Sequence, residues 1–94
     1  MHPVVDELET VLRSRRDTQP DGSYSATLFA DRERLERKIM EEAFETCLEL
    51  GRTDVVRERL VSEAADLVFH LTVGLVACDV SLEDVFAELA SRRS

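Results

Sequence analysis

No tryptophan occurs in these 94 residues, and only one Tyr and four Phe supply aromatic surface. The core has to be assembled from aliphatic side chains. Basic charge is also short: 12 Lys and Arg stand against 20 Asp and Glu, for a formal net charge of −8. That balance argues against a nucleic-acid partner, because phosphate backbones are held by clustered Lys and Arg. An anionic small molecule is still admitted if metal ions bridge it to the carboxylates. Cysteine is limited to Cys47 and Cys78, both in apolar stretches and without metal-ligand or redox spacing. They are expected as reduced core residues of a cytoplasmic protein. The longest apolar run, Leu67 to Cys78, has twelve residues and contains His70. It is too short to cross a bilayer, so no membrane is expected. Met1-His2-Pro3 carries neither a basic nor an apolar leader. Repeats and low-complexity stretches are lacking too, and the length suits one domain over 1–94.

What is present has helical spacing. Val4, Val5, Leu8, Val11 and Leu12 predict a first helix from about Val4 to Arg16, ending in Arg13, Arg15 and Arg16 beside its own C-terminal dipole. Phosphate contact is the other reading of that basic cluster. Asp17 to Gly22 is a loop signal, followed by Ser23 to Phe29 as a loop leading into a short helical turn. A second helix should start near Asp31 and stop at Gly51, with Leu35, Ile39, Ala43, Cys47 and Leu50 as its apolar stripe. Thr53 or Asp54 should cap a third helix running to about Cys78. Its stripe is expected to be Leu60, Ala64, Leu67, Leu71, Leu75 and Cys78. Val68, Phe69, Val73 and Val76 then point elsewhere, which makes that helix apolar nearly all round. A helix of that kind must be covered on every side, so a homodimer is expected, with Gly74 allowing a close helix crossing. Ser81-Leu82-Glu83-Asp84 resembles a capping box opening a last amphipathic helix. The fold class is all-α, with four to five helices.

Two of these helices carry the chemistry-bearing pattern. Lys38 precedes Glu41-Glu42-x-x-Glu45, and a spacer separates it from Glu63-x-x-Asp66-x-x-x-His70. Residues three and four apart share a helix face, so Glu45 lies one turn beyond Glu41 and Glu42. Glu63, Asp66 and His70 fall within roughly 60° of one another. Packed side by side, the two helices can turn five carboxylates, Glu41, Glu42, Glu45, Glu63 and Asp66, toward one groove. Hard oxygen clusters suit Mg²⁺, with Mn²⁺ as the alternative. The plainer reading is a solvated acidic face in a chain that is 34% charged. In that reading Lys38 pairs with Glu41 and Glu42 and needs no metal. His70 is either a satisfied core histidine or a group beside the acidic groove.

Taken together, Asp21 to Phe29, Lys38-Ile39-Met40-Glu41-Glu42-Ala43-Phe44-Glu45, Arg59 to His70 and Ser81 to Val85 resemble the phosphoribosyl-ATP pyrophosphohydrolase family. That family acts in histidine biosynthesis and belongs with the MazG-like all-α pyrophosphohydrolases. The resemblance spans nearly the whole chain in the family's order. It implies a helical bundle completed by dimerisation and hydrolysis of the α–β anhydride of phosphoribosyl-ATP to phosphoribosyl-AMP and pyrophosphate. It further implies metal ligation by Glu41, Glu42, Glu45, Glu63 and Asp66, with Glu42 or Glu45 holding or deprotonating the attacking water. Lys38 and Arg37 would meet phosphate or orient a carboxylate. Ser23 and Tyr24 would contact sugar or base, turn capping being the other role for them, and His70 would support the groove. The sequence departs from the family pattern at Met40, Phe44 and Gly51-Arg52 without losing a carboxylate. Those departures leave two alternatives open: a relative acting on another nucleoside triphosphate, and a catalytically silent helical dimer.

Overall fold

The computed structural model describes residues 2–93; Met1 and Ser94, the ends of the expected domain, lie outside them. Five helices follow in order: α1 (Pro3–Thr18), α2 (Tyr24–Ala30), α3 (Arg32–Leu50), α4 (Arg57–Ala77) and α5 (Leu82–Ser91). Among the described residues there is no strand, so the chain is all-α.

Local chemistry sets most of the boundaries. Pro3 occupies the first turn of α1, where its missing N–H costs nothing. Gly22 takes φ +80 in the turn before α2, a conformation that an L side chain resists. Ser23 caps α2, Asp31 ends α2 and caps α3, and Ser81 with Asp84 forms the expected capping box of α5. α3 stops at Gly51 as expected, but there φ is −84, outside the left-handed region, and it is Gln19 and Asp79 that adopt positive φ. The N-cap of α4 is Val56, not Thr53 or Asp54, and no side chain caps it. The β-branched pair Val55-Val56 favours extended backbone, which delays the helix past the polar candidates.

The core is small and aliphatic, as the lack of aromatics required. Leu12, Leu28, Leu35, Val73 and Val76 are buried together, with Leu8, Phe29, Ile39 and Phe69 packed around them. The buried positions of α4 are His70, Thr72, Val73 and Val76, which corrects the expected stripe: Leu71 and Cys78 are exposed. Periodicity could not choose a face on a helix apolar nearly all round. On α3, Leu35 is buried but Cys47 and Leu50 are exposed, and Glu42 is buried instead. Both cysteines are free and exposed, not core residues. Gly74 faces Ile39 and Leu35 across the α3–α4 crossing of the same chain.

Two polar contacts fasten the ends of the molecule. Arg16 donates to the Val76 carbonyl at 2.8 Å and to Asp79 at 2.6 Å. It therefore caps α4 and not only its own helix. Glu9, almost fully buried, accepts the Leu82 backbone N–H at 3.2 Å and Arg13 at 3.4 Å. By length and composition α4 could cross a membrane, with a mean hydropathy of 1.6 over 18 residues. The twelve-residue run understated it. Here α4 instead packs along α3 and lends Val73 and Val76 to the core.

Candidate active site

α3 and α4 run side by side, and their acidic segments meet as the spacing predicted. One carboxylate oxygen from each of Glu42, Glu45 and Glu63 lies within 4.8 Å of the others. Glu42 comes from the buried face of α3, Glu45 from one turn further along it, and Glu63 from α4. Their proton affinities reflect the crowding. Burial first, and then the negative charge of Glu45, raise the Glu42 carboxyl above its ordinary range. The close approach of the Glu45 carboxylate raises that of Glu63, with burial adding to it. Glu42 Oε2 and Glu63 Oε2 are both buried without a hydrogen-bond partner. Buried acceptors without partners each cost about 1–3 kcal/mol or more, so the cluster is incomplete by itself. Hard oxygen donors converging from two helices fit a divalent cation, and the two orphaned atoms are the observation that carries this fit.

The other predicted ligands stand at the edge of that trio. Asp66 is exposed one turn beyond Glu63, near enough for its charge to raise Glu42. Glu41 is exposed and held by Lys38, whose ammonium is 3.1 Å from Glu41 and 3.8 Å from Glu42. That contact with Glu41 holds Lys38 above the ordinary lysine range. Lys38 thus reaches into the acidic groove from the N-terminal side of α3. Arg37 is exposed, and among the described residues no ion pair joins it to the cluster.

His70 is buried, and both ring nitrogens are used. Nδ1 lies 2.7 Å from the Asp66 carbonyl and Nε2 lies 2.8 Å from the Tyr24 hydroxyl. A carbonyl only accepts, so Nδ1 donates to Asp66, and Nε2 shares the second hydrogen bond with the Tyr24 hydroxyl. Tyr24 thereby ties α2 to the acidic stretch of α4, with its ring stacked near Phe69. The half-exposed face of Tyr24 also meets Arg34, whose guanidinium carbon is 5.9 Å from the ring centre. Ser23 sits one residue away, but its hydroxyl accepts from Ala26 N–H as the α2 cap. Sequence reasoning missed Arg34, because cation–ring contact between α2 and α3 leaves no local spacing signal. Glu9 was missed for a similar reason: its partner lies 73 residues away.

The family model for phosphoribosyl-ATP pyrophosphohydrolase matches residues 5–93. The chain belongs to this family. Among its relatives, phosphoribosyl-ATP pyrophosphatase of Ruegeria pomeroyi is 41% identical over 91 residues, covering 96% of this chain and 85% of that protein. The Cereibacter sphaeroides protein of the same name is 43% identical over 90 residues, 95% of this chain and 85% of its own length. The histidine biosynthesis bifunctional protein HisIE of Shewanella oneidensis is 40% identical over 92 residues. There the match takes in 97% of this chain but only 43% of the relative. The chain thus spans under half of that bifunctional relative and most of the two monofunctional ones.

Proposed function

We propose that this chain hydrolyses phosphoribosyl-ATP to phosphoribosyl-AMP and pyrophosphate in histidine biosynthesis, with a divalent cation held by its acidic groove. Membership of the phosphoribosyl-ATP pyrophosphohydrolase family supports the reaction. The convergence of Glu42, Glu45 and Glu63, with two buried oxygens lacking partners, supports the cation. Glu42, Glu45 and Glu63 would hold it, with Asp66 and Glu41 reachable at the rim. Mg²⁺ is the natural occupant and Mn²⁺ the substitute. Once bound, the cation supplies positive charge against the triphosphate and lowers the pKa of the attacking water.

The chain's own residues do the rest. Lys38 brings an ammonium to the phosphates from the N-terminal side of the groove. Glu42 or Glu45 would take the proton of the attacking water through a carboxylate oxygen that does not hold the cation. His70, fixed by Tyr24 and the Asp66 carbonyl, keeps the α4 wall of the groove in place. The substrate is a small nucleotide, and no nucleic acid is involved.

The working unit is a homodimer in the cytoplasm. Met40, Phe44, Leu48, Val61, Val68 and Leu71 are all exposed along the α3–α4 pair, an apolar surface of the kind that marks an interface. The radius of gyration of 14.6 Å exceeds the about 12 Å expected for a compact chain of this length. Free, exposed cysteines fit a reducing compartment.

Pyrophosphate release in Mg²⁺, with phosphoribosyl-ATP, ATP, dCTP and dUTP compared, tests the reaction. Phosphoribosyl-ATP should be strongly preferred, and chelation of the metal should stop turnover. Glu42→Gln and Asp66→Asn should each lower kcat by about 10²–10⁴-fold while the far-ultraviolet circular dichroism stays helical. Full activity in Glu42→Gln would remove the site, and preference for another triphosphate would move the chain to a different substrate.

A further inference from the structure

α3 carries an opposite charge on the same face as its acidic cluster. Arg34 and Glu45 are eleven residues apart, which is about 16 Å along the helix axis and roughly 20° around it. Lys38 lies between them, turned onto Glu41 and Glu42. Arg37 falls about 60° off that line. Arg34 differs from Lys38 in being left without an acid: among the described residues, no carboxylate pairs with its guanidinium, which stands exposed against the Tyr24 ring. That ring is in turn held by His70. The arrangement is therefore a stripe with a carboxylate cluster at one end and a stacked guanidinium at the other, with an aromatic face beside it.

A purine nucleoside bearing a triphosphate on one sugar and a single phosphate on a second sugar is an elongated molecule with an anion at each end. Its triphosphate end needs the cation of the acidic groove. Its other end needs a cationic partner one nucleoside length away, and Arg34 is the free cation on that line. We propose that Arg34, braced on the Tyr24 ring, binds the phosphate of the phosphoribosyl arm and thereby makes the site prefer phosphoribosyl-ATP to ATP. The assignment rests on the reaction proposed above. A planar guanidinium can grip a phosphate through two parallel N–H donors. Stacking on Tyr24 fixes that fork in advance, which reduces the ordering cost of binding.

Product binding tests this without turnover. Phosphoribosyl-AMP and AMP are titrated calorimetrically into the full chain in Mg²⁺, as wild type, Arg34→Gln and Arg34→Lys. Wild type should favour phosphoribosyl-AMP, and Arg34→Gln should cut that preference by roughly 10- to 100-fold. Arg34→Lys should recover only part of it, since lysine keeps the charge and loses the fork. An unchanged preference in Arg34→Gln would overturn the proposal. So would an equal loss for both ligands, which marks a purely structural role through Tyr24. A measurement on wild type alone guards against a misfolded variant: ribose 5-phosphate should weaken phosphoribosyl-AMP binding and leave AMP binding unchanged. An equal effect on both ligands would sink the assignment. If wild type turns over no phosphoribosyl-ATP in the release assay, the proposed reaction fails first, and that result is separate from these.

Discussion

Glu9 shows how much a single buried carboxylate can hold. It receives the first backbone N–H of α5 and a guanidinium from its own helix while almost fully excluded from water. Truncation to alanine would leave the Leu82 N–H without a partner in a buried place. Glu9→Ala should therefore cost about 1.5–3 kcal/mol, measured by urea denaturation, and loosen α5 before the rest. The acidic trio makes the opposite kind of prediction. Because Glu42 and Glu63 bind protons more tightly in the folded chain than at the ordinary carboxyl value of 4.5, protonation favours folding. In chelator, that contribution is present below the ordinary value and is lost as pH rises through the raised ones. Thermal melts should accordingly show wild type losing stability relative to Glu63→Gln from mildly acid to neutral buffer. Mg²⁺ should reverse the trend, stabilising wild type more as pH rises, because the ligands must shed their protons. A difference between the two proteins that ignores both pH and metal would contradict the shared site. Glu41 and Asp66, expected with them, stand exposed at the rim, but at this scale the meeting of Glu42, Glu45 and Glu63 was legible, since i, i+3 and i, i+4 spacing is a property of the helix alone. Arg34 and Glu9 were not, because their partners come from other elements.

The α3–α4 pair is the element on which site and fold coincide. Its N-terminal α3 and C-terminal α4 halves pack into the core through Leu35, Val73 and Val76, and its other halves carry Glu42, Glu45 and Glu63. Gly74 lies at the crossing, where an added Cβ would sit 3.4 Å from Ile39 and 3.9 Å from Leu35. That is ordinary contact, so Gly74→Ala should change stability by no more than about 1 kcal/mol, with gained helix propensity offsetting the tighter fit. Gly74→Leu, which overfills the crossing, should destabilise by about 1–3 kcal/mol in the same denaturation experiment. Helix existence and most caps were readable because Ser23, Asp31 and Ser81 act through hydrogen bonds a few residues away. The buried face of α4 was not, since an apolar residue at nearly every position erases the phase. The late start of α4 escaped as well, because Thr53 and Asp54 satisfy the capping rule but do not sit where the helix begins.

For the whole molecule, the shortage of aromatic residues has a measurable result. A core cluster of five buried aliphatic residues and a few packed against them leaves Met40, Phe44, Leu48, Val61 and Leu71 facing outward. Homodimerisation through this surface should make the melting temperature rise with protein concentration. Phe44→Asp or Leu48→Asp should shift the species seen by sedimentation toward monomer, and a concentration-independent monomer in the wild type would end the dimer assignment. Net acidity was legible from composition and agrees with the convergence of Glu42, Glu45 and Glu63. The extent of apolar exposure was not legible, because it depends on which faces the five helices turn to one another.

The hydrogen bond between Glu9 and Leu82 also bears on how the chain is made. Its two partners are separated by 73 residues, and at synthesis rates of 5–20 residues per second the carboxylate emerges about 4 to 15 s before the amide it will hold. Throughout that interval α1 has no final partner for a group that ends up buried. α1 therefore finishes packing only once α5 has been made and arrives to close it.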